Sequence, residues 1–224
     1  MSTANGSVAW RLVVKDLYLH RWLVVVTLAS GIASLLVSGI DKADNVRTGP
    51  NLGLLLFITT VVAFGIFVPM TGILKERQDR SQLWVLSLPI SPRGYAQAKV
   101  WASLIAFLVP WLLLTGIVIV AETLAGRSGG LGVFLVMMTF FLAAFCLLVA
   151  LVVVTMSEAW AIAGILASNV AVTVFLTKVL TLPGIAGGSG FTPRILTVLA
   201  LELALIAVAL GLALTLPARK KDFV

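Results

Sequence analysis

The side chains able to do chemistry in this sequence are few, and they stand apart from one another. Nine acidic residues, one histidine and one cysteine are spread over 224 residues. No Gly-x-x-x-x-Gly-Lys-Ser/Thr string occurs, so no P-loop is present to cradle a nucleotide phosphate. Gly126 to Gly132 is a Gly/Ser turn with no lysine after its glycines. His-Glu-x-x-His, Cys-x-x-Cys and Gly-x-Ser-x-Gly are absent, as is the aspartate cluster of a phosphatidyl transferase. The expectation is a chain with no catalytic residue, no metal site and no cofactor of its own.

What remains is a short set of polar groups inside apolar runs. Glu202 lies two turns into the last run, where a carboxylate is costly unless paired or hydrated. Lys178 or Arg194 would be its partner, and it reads either as a substrate-path residue or as half of a structural ion pair. Asn169 is another polar group at depth, a hydrogen-bond clip or part of a substrate path. His20 stands beside Arg21 at a membrane border with no visible partner, and reads as an interfacial side chain. Cys146 has no second cysteine to pair with and reads as a small packing residue.

The elements that must carry these groups are membrane spans. With 60% hydrophobic and 11% charged residues and a mean hydropathy of +1.12, a soluble domain is excluded. The apolar runs are long and continuous, which excludes a β-barrel. The chain reads as all-α and polytopic, a single transmembrane domain over 1–224 with spans at 22–40, 52–74, 100–121, 131–154, 159–180 and 194–216. No cleavable signal precedes them. Over 8–21, Trp10, Val13, Val14, Leu17 and Tyr18 share one face of a helical wheel, which predicts an interfacial amphipathic helix. Pro69 and Pro110 are expected kinks, tolerated because neighbouring helices satisfy the freed carbonyls. Thr155-Met-Ser-Glu158 fits a capping box opening the fifth span. Within that span Ala159, Ala163, Ala167 and Ala171 form a small-residue row that lets another helix approach closely, in this chain or in a second copy.

The longest polar break, 75–99, organises the rest. Lys75, Glu76, Arg77, Asp79, Arg80, Arg93 and Lys99 crowd into it, and Leu83, Trp84, Leu86 and Leu88 follow the first charges. Pro89 ends any helix there, and Ser91-Pro92 reads as an N-cap with proline at the first position of a new one. An amphipathic helix at the membrane face suits docking to another protein.

Glu76, Arg77, Leu83, Leu86, Leu88, Pro89, Ile90, Ser91 and Lys99, placed after the second of six spans, resemble an ABC-2 type transporter permease. One departure is that Arg80-Ser81-Gln82 fills a space where that family often has glycine. The resemblance implies an N-terminal connecting helix and a coupling helix inserted into a groove of a separate ATPase subunit, which would bind the ATP and magnesium. Leu83 and Trp84 would anchor that helix, Glu76, Asp79 and Arg80 would make flanking ion pairs, and Arg77, Leu86 and Leu88 would belong to the same surface. Glu158 would face the same side, as a cap or as a partner contact. The implied assembly is a dimer with an identical or different permease copy, exporting a hydrophobic or amphipathic cargo.

Charge bias orients the chain. Arg11, Lys15, Arg21, Lys75, Arg77, Arg80, Arg93, Lys99, Arg219, Lys220 and Lys221 fall on one side, against Lys42, Arg47, Arg127, Lys178 and Arg194 on the other. The richer side, with both termini, is expected in the cytoplasm, which places the chain in an inner or plasma membrane. The net charge of +7 therefore reads as contact with lipid headgroups and not with nucleic acid. An ion-coupled carrier and a non-transporting scaffold or immunity protein are the competing readings. The first would want more intramembrane charge and inverted repeats.

Overall fold

The computed structural model describes residues 2–43, 52–75, 92–126, 128–185 and 190–216. Among these the chain is helical, and six helices are long and apolar enough to cross a membrane. Helix α1 is Ser2–Ala43. Helix α2 is Leu52–Pro69 and continues as a π-helical turn, Met70–Leu74. Helix α3 is Pro92–Leu124, and α4, Leu131–Thr155, follows a short 3-10 turn at Ser128–Gly130. Helix α5 is Glu158–Val174, extended by a π-helical turn at Phe175–Val179, and α6 is Pro193–Thr215.

Helix α4 is the core of the bundle. It is apolar on every side and is buried along most of its length, whereas α1, α5 and α6 turn most of their surface outward. Stacked phenylalanines fix its neighbours. Phe107 of α3 lies 4.1 Å from Phe145 of α4 and 5.9 Å from Phe64 of α2, and Phe140 of α4 lies 4.0 Å from Phe175. Across α1 and α2 the contact is backbone on backbone. A Cβ on Gly53 would sit 2.6 Å from the Ser34 carbonyl oxygen, so only glycine allows this crossing.

The prolines act differently from one another. Helix α3 runs on through Pro110, and the next residue, Trp111, donates its indole N–H to the Met138 carbonyl at 2.9 Å, tying α3 to α4. Pro69 closes α2, and the winding then changes to the π-helical turn, where the hydrogen bonds shift by one residue.

Two expectations about helix starts are corrected. Helix α1 is continuous from Ser2 through the first span, with no break after Arg21. Its expected apolar face splits: Val13 is buried and Leu17 half-buried, while Trp10, Val14 and Tyr18 stay exposed. The buried row is Leu12, Asp16 and His20, one turn apart. The Thr155–Glu158 capping box does not form. Thr155 belongs to α4 and donates its hydroxyl to the Leu151 carbonyl at 2.7 Å, Met156 turns the chain through a left-handed conformation (φ 48°), and Ser157 stands at the N-cap of α5. The Thr155 oxygen still accepts, but from the Ser157 N–H at 3.4 Å, two residues on and not three, because Thr155 remains in the last turn of α4.

Candidate functional site

Where α2 closes and α3 opens, three helices meet around a buried ion pair. The Lys99 ammonium of α3 lies 2.7 Å from Asp16 Oδ2 of α1, and each side chain is 3% exposed. A second ammonium proton goes to the Gly72 carbonyl of the π-helical turn at 3.1 Å. The Tyr95 ring, one turn before Lys99, lies 5.6 Å from the same nitrogen. Lys99 thus holds α1, the end of α2 and the start of α3 with one group.

His20 completes the joint from the next turn of α1. Its Nδ1 donates to the Asp16 carbonyl at 2.6 Å, and its Nε2 meets the Thr71 hydroxyl at 3.1 Å. That hydroxyl also reaches the Phe67 carbonyl at 2.7 Å, and its single proton serves one of the two at a time. The imidazole lies close against Gly72, where a Cβ would come within 3.1 Å of Cε1 and 3.4 Å of Nε2. The reading of His20 as a plain interfacial side chain is therefore corrected: it is 7% exposed and bonded across helices. Its partners are 4 and 51 residues away, and the second distance hides the pairing from local pattern.

Apolar packing seals the joint. Leu12 and Val13 of α1 cluster with Tyr95, Ala98 and Ala102 of α3, and Met156 packs against them from the turn between α4 and α5. Glu158, exposed in the first turn of α5, therefore shares this end of the bundle. Lys75 is exposed at the last described residue of α2's extension. The joint thus stands at both roots of the polar break. Glu76, Arg77, Asp79, Arg80, Leu83, Trp84, Leu86 and Leu88 lie outside the described residues.

The two intramembrane polar groups are not brought together. Asn169 is exposed on α5 and donates to the Ile165 carbonyl at 2.9 Å. Thr173, Thr177 and Thr181 continue the same row, each bonded to the carbonyl four residues back. Glu202 is buried on α6, and neither Lys178 nor Arg194 partners it: Lys178 is exposed, and the Arg194 guanidinium donates to the Pro183 carbonyl. The loop before α6 accounts for this. Thr192 caps α6 by accepting from the Ile195 N–H at 3.3 Å and donates to the Gly184 carbonyl at 2.6 Å, which draws Arg194 back along the loop. Among the described residues no group of acidic, histidine or cysteine side chains is placed to hold a metal.

At the opposite end, a cleft of about 370 Å³ opens between the last turns of α1 and α3 and the first turns of α2 and α4. Leu35, Leu54, Phe57, Ile117 and Phe134 give it an apolar wall, and Ser38 and Glu122 are its polar side chains.

A buried ion pair thus joins three helices at the two roots of the polar break. No curated protein matches the chain. The family model described as ABC-2 family transporter protein matches residues 11–217, which takes in all six helices and both sides of the joint. This chain belongs to the ABC-2 transporter family as a multi-pass membrane permease.

Proposed function

We propose that the chain is the permease subunit of an ATP-driven exporter, working as a dimer with separate ATPase subunits that dock on 76–91. The observation that supports this most directly is the Lys99 clamp. The docking segment hangs between α2 and α3, and Lys99 joins the ends of both to α1. A push on the segment when the ATPase subunits close on ATP and magnesium moves three spans as one body. Leu83 and Trp84 anchor the docked helix, Glu76, Asp79 and Arg80 pair at its flanks, and Arg77, Leu86, Leu88 and Glu158 belong to the same contact surface.

The second copy packs on α5. Ala159, Ala163, Ala167 and Ala171 are all exposed, and Ala161 is the buried residue of that helix. A small-residue row on a bare face is what close helix association in lipid uses. The polar row from Asn169 to Thr181 flanks it and lines the path between the copies, while the apolar bulk of the walls suits a hydrophobic or amphipathic cargo. The charge bias puts both termini and the joint in the cytoplasm of a cell with this chain in its inner or plasma membrane.

Co-expression with an ATPase subunit lacking membrane spans tests the docking role. The native chain should co-purify with it, and Leu83→Asp combined with Trp84→Ala should lose it while remaining in the membrane. Equal capture by both proteins removes the docking segment from the account.

A further inference from the structure

Glu202 is buried on α6 at 7% exposure, and neither carboxyl oxygen has a hydrogen-bond partner among the described residues. Its depth follows from the packing of α4 and α6. A Cβ on Gly132, at the start of α4, would touch Ile195 at 3.0 Å, so the two helices begin side by side and run parallel. Nine residues beyond Pro193, at 1.5 Å each, put Glu202 about 13 Å below that end, near the middle of a hydrocarbon layer roughly 30 Å thick. It shares the inward face of α6 with Ile195, Ala209 and Ala213, and that face lies on α4.

Among the described residues, the charges on the helices packed against this position are few. Cys146 is the one ionisable side chain on α4. On α3 the described side chains are Tyr95 and Lys99, near the helix start where Lys99 is held by Asp16, and Glu122, which lines the cleft at the opposite end. Arg194, the other charge on α6, is turned to the Pro183 carbonyl. A carboxylate ion here would be desolvated with no counter-charge facing it among the described residues, and proteins resolve that situation by keeping the acid neutral.

We propose that Glu202 is a proton-binding site at the α4–α6 joint. The carboxyl keeps its proton while the two helices are packed and releases it when they part and water enters. Binding and helix separation are then linked in both directions: parting favours proton release, and ionisation favours parting. This stands apart from the ATPase-docking reading, since nothing in it depends on 76–91.

The test is infrared spectroscopy of the purified full chain in lipid nanodiscs, comparing native protein with Glu202→Gln at neutral pH. The expected result is a carbonyl-stretch band of a protonated carboxylic acid in the native protein, shifted in heavy water and lost in the variant. A native-minus-variant spectrum carrying carboxylate bands in its place overturns the proposal, because the group would then be ionised and matched by a charge or water. Should Glu202→Gln fail to fold, Glu202→Asp moves the band without deleting it, and an unmoved spectrum is equally fatal.

Discussion

Removing the Lys99 ammonium should be among the most damaging single changes outside the apolar core. The pair is 2.7 Å apart with both side chains 3% exposed, so Lys99→Ala leaves the buried Asp16 carboxylate without its nearest counter-charge. At an effective dielectric constant of about 20, attraction at that separation is on the order of 6 kcal/mol, and desolvation of both ions opposes it. Deleting one partner of such a buried pair costs about 3–5 kcal/mol, a large share of the roughly 5–15 kcal/mol that keeps a typical domain folded. At about 1.4 kcal/mol per decade, the folded fraction relative to unfolded should fall by roughly two to nearly four powers of ten. Unfolding in mixed micelles of increasing denaturing detergent measures this. The decisive comparison is Asp16→Leu with Lys99→Met, which fills the same space without charge and should recover most of the loss. If Lys99→Ala unfolds like native protein, or the double variant is as weak as the single one, the pair does not carry the joint.

The α1–α2 crossing makes a second prediction. Gly53→Val should cost about 1–3 kcal/mol or prevent folding, since its new atoms meet the Ser34 and Ser38 backbone, whereas Gly31→Ala meets the movable Leu114 methyls and should cost less; the same unfolding series separates them. On the exposed row of α5, Ala163→Trp should halve the particle mass in nanodiscs or detergent by light scattering while leaving the helical circular dichroism unchanged. A particle mass equal to that of the native protein would refute the proposed dimer contact on α5. On the proposed docking role of 76–91, Lys99→Met should also lower cargo-dependent ATP hydrolysis in the assembled complex more than it lowers capture of the ATPase, because Lys99 lies outside that segment.

The sequence alone determined the membrane class, the six apolar helices and the family, because each rests on local quantities. A run of twenty apolar residues needs no partner to declare itself, and Pro92 marks the start of α3 by its own geometry. The polar break at 75–99 was legible for the same reason, whereas the close crossing at Gly53 was not, since it depends on the Ser34 and Ser38 backbone of another helix. What tertiary structure decided was pairing. Asp16 and Lys99 lie 83 residues apart, and on a helical wheel Asp16 falls off the apolar face, as a solvated charge would. Its burial follows only from Lys99 arriving on α3. His20 gained its role in the same way from Thr71 and Gly72. The Thr155–Glu158 box had the right spacing, but α4 ran one residue further than a cap allows. Lys178 and Arg194 were the expected partners of Glu202, yet a loop carbonyl held Arg194 and Lys178 stayed exposed. Spacing along the chain fixes which groups share a helix face; which face turns inward depends on what the other helices bring to it.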